Sequence, residues 1–122
     1  MSVNSFPVPV GPYQIARSHG GFLFLSGQIP LDPDSGNLVE GGISAQTERV
    51  ILNIAGVLKS YGVDWQSVLK VTVFLTDLND FSEMNAVYSR LIGEPYPARS
   101  TIGVASLPKS AKIEIEVTAA IR

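Results

Sequence analysis

Val50-Ile51-Leu52-Asn53-Ile54-Ala55-Gly56-Val57-Leu58 and, a short step later, Leu69-Lys70-Val71-Thr72-Val73-Phe74-Leu75-Thr76 decide the fold class between them. In the first stretch Val50, Ile51, Ile54, Val57 and Leu58 fall on one face at helical spacing, while Gln46, Glu48, Arg49, Asn53 and Lys59 fall mostly elsewhere. The spacing predicts an amphipathic helix over 43–61, and Gly62 stands where a left-handed C-terminal cap belongs. The second stretch is rich in β-branched and aromatic residues, which fit a pleated strand.

Outward from this pair the pattern repeats. Asp80 followed by Glu83 resembles a capping box, and Phe81, Met84, Val87, Tyr88 and Leu91 supply a second apolar helical stripe that Gly93 ends. Pro95 and Pro97 keep the next segment out of helix. Ala98 to Ala105 and Lys112 to Ile121 read as two more strands, joined through Leu107-Pro108-Lys109-Ser110. Upstream, Pro7, Pro9, Gly11 and Pro12 predict an extended lead-in. Phe22-Leu23-Phe24-Leu25 suits a strand buried on both faces, and Pro30 to Asn37 a surface loop. The order strand, helix, strand, helix, strand, strand predicts an α+β domain with a mixed sheet packed against two helices. At 122 residues, residues 1–122 form one domain.

The last two strands carry the candidate chemistry. Lys112-Ile113-Glu114-Ile115-Glu116-Val117-Thr118 alternates strictly, which sets both glutamates on one face. If these strands pair as a hairpin, Ile102 and Val104 join Ile113 and Ile115 on the core side. Arg99 and Thr101 then share the other side with Glu114 and Glu116. The commoner meaning of such a pattern is a solvated face with a surface ion pair. Gly103 and Ala105, which leave space beside Arg99, weigh against it.

Composition removes several classes of chemistry. Charged residues are 16% of the chain, below the usual quarter or so, which favours an oligomer that hides apolar surface. The net charge is −2 and the nine Lys and Arg are scattered, so no footprint for nucleic acid exists. No cysteine and one histidine exclude disulfides, thiol nucleophiles and the usual metal sets. No apolar run is long enough to span a bilayer, and Met1 to Ser5 lacks a secretion signal, so a cytoplasmic location is expected. His19 with Ser26 lacks a Gly-x-Ser-x-Gly context and reads as a turn histidine. The glycine pairs at 20–21 and 41–42 precede no Lys-Ser or Lys-Thr. Lys70 reads as a solvated strand lysine.

Five segments together resemble the RidA (reactive intermediate deaminase)/YjgF family across almost the whole chain. They are Gly11-Pro12-Tyr13, Ser26-Gly27-Gln28-Ile29-Pro30, Lys70 to Leu75, Pro97-Ala98-Arg99-Ser100-Thr101, and Leu107-Pro108 through Ile113-Glu114-Ile115-Glu116. The resemblance implies a chorismate-mutase-like fold that assembles as a homotrimer with ligand sites between subunits. It implies cofactor-independent hydrolysis of 2-aminoacrylate, 2-iminobutanoate and related 2-imino acids to 2-keto acids and ammonia. Arg99 would bind the substrate carboxylate and Glu114 would position or activate water, with Tyr13, Ser26, Gly27 and Thr101 lining the pocket. The family motif favours Glu114 over Glu116, and the hairpin would set Glu114 opposite the space at Gly103. Two departures stand out. Threonine replaces a frequent cysteine at Thr101, where a backbone contact is implied. The segment between the second helix and Arg99 is shorter and less aromatic than in many members, with Leu91-Ile92-Gly93 in place of a Phe-rich end, which bears on pocket depth and the preferred side chain. The alternative is a small-ligand-binding regulatory or chaperone module without turnover. RNA cleavage is disfavoured by the acidic balance.

Overall fold

The computed structural model describes residues 6–121, so the reading of Met1 to Ser5 lies outside the described residues. Helix α1 spans Ile43–Ser60 and buries Val50, Ile51, Ile54, Val57 and Leu58, the stripe its spacing predicts. It ends as foreseen: Gly62 takes φ 77°, its N–H donates to Lys59 O, and the Val63 N–H donates to Leu58 O, a Schellman closure. Gln46 and Asn53 belong to the buried flank instead of the solvated side. Each is satisfied by loop backbone. The Lys112 N–H donates to Gln46 Oε1 at 2.8 Å, and Asn53 Nδ2 donates to Leu31 O at 2.9 Å. Through them α1 fixes both the 29–38 loop and the entry to the last strand.

Five strands form one sheet: β1 (Ala16–His19), β2 (Phe22–Leu25), β3 (Val68–Leu75), β4 (Ala98–Gly103) and β5 (Ile113–Ala120), in spatial order β1-β2-β5-β3-β4. Helix α2 (Phe81–Ile92) lies with α1 on one side, and the sheet is mixed, as expected of the α+β class. Strand β1 has no counterpart in the sequence reading. It pairs with β2 through Gly20-Gly21, whose φ values of 59° and 83° make the primed turn that a two-residue hairpin needs. His19 ends β1 just before that turn.

The expected hairpin between β4 and β5 does not form. β4 pairs with β3, parallel, and β5 pairs with β3 on its other edge, antiparallel. The physical reason is the crossover: a strand that follows a helix returns parallel to the strand before it, and this occupies the edge of β3. The 104–112 connection then carries the chain across to the opposite edge. Register changes sides with it. Val71, Val73 and Leu75 face the helices beside Val117, Ile115 and Ile113, and the same rows hold Arg99, Thr101 and Gly103. Glu114 and Glu116 share rows with Phe74, Thr72, Ile102 and Ser100 on the other face. Arg99 and Thr101 are therefore across the sheet from both glutamates, and Ile102, assigned to the core from sequence, is 45% exposed.

Among the described residues no helix covers that second face. Phe22 and Phe24 lie on it nearly half exposed, so β2 is buried on one face, not both, because both helices pack on the opposite side. Helix α2 also departs in detail. Asp80 makes no side-chain cap; Asp77 instead caps the 3-10 turn Leu78–Asp80 that leads into α2, accepting from the Asn79 N–H at 2.9 Å. Glu83 accepts from the Ser44 hydroxyl at 2.7 Å and ties the helices together. Gly93, at φ 72°, ends α2, and the Glu94–Pro95 peptide is cis. Among the described residues no helix is long and apolar enough to cross a membrane.

Candidate active site

Arg99 is half-buried on the helix side of β4. Its guanidinium carbon lies 4.7 Å from the centroid of the Tyr88 ring and 5.7 Å from that of Phe81. No carboxylate among the described residues forms an ion pair with it. A cleft of about 300 Å³ opens beside it, lined by Asn85, Tyr88, Ser89, Tyr96 and Pro97. Two hydroxyls on this side of the sheet, that of Tyr88 in the cleft and that of Thr101 on β4, are buried without a hydrogen-bond partner of good geometry. Burial raises the Tyr88 pKa, against the opposing pull of Arg99, so the phenol stays neutral. The space expected beside Gly103 is filled: a Cβ there would lie 3.0 Å from Leu78 Cγ. Gly103 also aligns through β3 with Ile113, not with Glu114.

The second group of candidate residues gathers across the sheet. Gln28 bridges to Ile115 by two backbone hydrogen bonds, of 2.8 and 3.0 Å, which lays Gly27 directly against Glu114. The carboxylate occupies the position a side chain would take. A Cβ built on Gly27 would overlap it, lying 2.8 Å from Glu114 Cδ. A small cluster of Ile29, Leu31 and Ala111, with Leu38 and Leu107, clamps this segment to the start of β5. Ser26 donates through Oγ to Gln14 O at 2.7 Å, and Tyr13 lines a narrow crevice with Gly27 and Gln28. Glu114 is half-buried, and its pKa is raised above 4.5, first by desolvation and then by the neighbouring charge of Glu116. It has no cationic partner among the described residues.

Of the six candidates, the structure brings Tyr13, Ser26, Gly27 and Glu114 together, and separately Arg99 with Thr101. The sheet stands between the two groups. A larger hollow of about 930 Å³, lined by residues such as Lys59, Asp64, Ser67 and Ile121, is open to solvent and holds none of them. Among the described residues no group of His, Asp or Glu could hold a metal ion. The aromatic partners of Arg99 were missed in the sequence, where Phe81 and Tyr88 read only as a core stripe. Their spacing of seven, two helical turns on one face ahead of the arginine strand, is the signal that marks them.

The model of the endoribonuclease L-PSP family matches residues 3–121. The chain belongs to this family, the RidA/YjgF family. Among its relatives is a RutC family protein of Pyrococcus abyssi, 50% identical over 113 residues that cover 93% of this chain and 89% of that one. Another is the 2-iminobutanoate/2-iminopropanoate deaminase of Bos taurus, 40% identical over 119 residues, covering 98% and 87%. The RidA of the Antarctic bacterium Psychrobacter sp. PAMC 21119 superposes with a TM-score of 0.93 at 39% identity, covering 98% of this chain and 97% of that one. Two helices on a mixed five-stranded sheet are thus the RidA fold.

Proposed function

We propose that this chain is a cytoplasmic, cofactor-independent hydrolase that converts reactive 2-imino and 2-enamino acids, 2-iminobutanoate and 2-aminoacrylate among them, to 2-keto acids and ammonia. The observation that carries the reading is two half-buried charges of opposite sign, each without an ion-pair partner among the described residues. Burying an unpaired charge costs free energy, and such sites persist where a ligand completes them. Arg99 presents a fork that matches a planar carboxylate. Glu114, its pKa raised by burial and by the Glu116 charge, suits a group that takes and returns a proton.

The chemistry asked of them is small. The imine carbon is already electrophilic, and an enamine reaches it by protonation at C3. Arg99 holds the carboxylate while Glu114 removes a proton from water as the oxygen bonds to the imine carbon. That proton passes to nitrogen to give a carbinolamine; Glu114 then takes the carbinolamine hydroxyl proton and delivers it to the amine, so that the C–N bond breaks, ammonia leaves and the carbonyl forms. Positioning and one proton shuttle suffice. Thr101, Tyr13, Ser26 and Gly27 line the pocket in this reading. The acidic balance of the chain, with no basic patch, favours a small anion over RNA. A threonine dehydratase coupled to this protein should release 2-oxobutanoate faster than the dehydratase alone. Binding of 2-oxobutanoate without any such acceleration would make the chain a ligand sensor instead.

Because Arg99 and Glu114 lie on opposite faces of one sheet, a complete site draws them from neighbouring copies. The uncovered face bearing Phe22, Phe24 and Ile102 supplies apolar surface for that association, and a homotrimer is the assembly we propose. Light scattering on a gel-filtration peak should give three chain masses. Arg99→Ala and Glu114→Gln chains, each inactive alone, should regain about a quarter of wild-type activity when unfolded and reassembled as an equal mixture, the statistical yield for a site shared by two copies. A mixture as dead as its components would place both residues in one chain's site.

A further inference from the structure

Among the described residues nothing acidic neutralises Arg99, yet its side chain is not left free to wander. Phe81 and Tyr88 stand seven residues apart on α2, so they share one face two turns apart, and the guanidinium carbon lies over both rings, 5.7 and 4.7 Å from their centroids. Tyr88 is 4% exposed and anchored in the core, whereas Phe81 is 40% exposed at the rim. We propose that Phe81 and Tyr88 form an aromatic cradle whose task is to hold the Arg99 fork in position for a carboxylate, which makes both of them positioning residues. The proposal rests on the reading of Arg99 as the carboxylate site.

The reason for aromatic partners lies in what they leave free. An aspartate or glutamate beside Arg99 would occupy the same N–H donors that the ligand needs, and it would cancel the charge that attracts an anion. A ring attracts the cation through its π face and takes none of the in-plane donors. Restricting a long side chain before binding removes part of the ordering cost that binding would otherwise meet. Seating the cation over two rings also reduces the penalty of leaving it half-buried without a counterion.

The test uses Tyr88→Phe, Tyr88→Leu and Phe81→Leu in the full chain, with two readouts. The Arg99 Nε–H resonance reports the cradle directly, because a proton held over aromatic rings is shifted by their ring currents. Calorimetry with 2-oxobutanoate and the KM and kcat of the coupled assay report its use. Tyr88→Phe should keep the shifted resonance and bind within about twofold of wild type. Tyr88→Leu should lose the shift and bind about tenfold more weakly, with the loss mainly in KM. Phe81→Leu, at a partly exposed ring, should show a smaller loss, about threefold, and it carries the test if Tyr88→Leu does not fold. Wild-type affinity in both leucine variants, or an unmoved resonance in them, overturns the proposal. If wild type binds no 2-oxobutanoate at all, the reading of the site fails separately, and the Nε–H resonance alone decides whether the cradle exists.

Discussion

Arg99→Ala should abolish imine hydrolysis while leaving the protein folded. Each charge-assisted hydrogen bond to a carboxylate contributes about 1.5–3 kcal/mol, so a lost bidentate contact costs about 3–6 kcal/mol and a factor of about a hundred to a few tens of thousands in kcat/KM. The fold should survive because Arg99 has no ion-pair partner among the described residues to strand: alanine there removes a half-buried charge and orphans no carboxylate among them. The thermal midpoint should hold or rise. Arg99→Lys should recover little, since an ammonium presents a point charge where the site is built for a planar fork lying over Tyr88. Coupled-assay rates and a melting curve on the same three preparations check all of this. Normal turnover in Arg99→Ala would mean that the carboxylate is held elsewhere.

The fate of Arg99 also measures how much the sequence discloses. Element types were legible because each rests on a local period: the α1 stripe, the alternation of β5, and the glycines that close both helices. Pairing partners were not, because strand order is a property of the crossover, which no period records. Alternation correctly split Arg99 and Thr101 from Ser100 and Ile102, and Glu114 from Ile115. It could not say which split faced which layer, and assuming adjacency of consecutive strands inverted β4. β1 was missed for a simpler reason: Ala16-Arg17-Ser18-His19 is short, polar and at the sheet edge, so it has no apolar pattern. The candidate site residues came from motifs held in common with a family, and that route is indifferent to strand order. It named Arg99 and Glu114 without revealing that one chain keeps them apart.

Glu114→Gln should bind 2-oxobutanoate nearly as wild type does yet turn over about a hundredfold more slowly, the usual loss for one acid–base group. Glu116→Gln should stay active. Both side chains face the uncovered side of β5, so orientation does not separate them; surroundings do. Glu114 rests on Gly27, half-buried and desolvated, whereas Glu116 is exposed. Desolvation and then the Glu116 charge raise the Glu114 pKa above 4.5, so the acid limb of the rate profile should sit higher than an ordinary glutamate would set it. Removing Glu116 withdraws one of those causes, and the limb should move to lower pH with the neutral rate little changed. Stability follows the same linkage. A carboxyl whose folded pKa lies above its unfolded value favours folding below the unfolded value, and that contribution is lost as pH rises through the folded one. Glu114→Gln keeps a neutral group at every pH, so it should melt above wild type at about pH 7 and level with it at about pH 4. Rates across pH, calorimetric binding and paired melting curves read the three effects independently. A dead Glu116→Gln beside a fully active Glu114→Gln would exchange the two roles, and with them the meaning of Gly27.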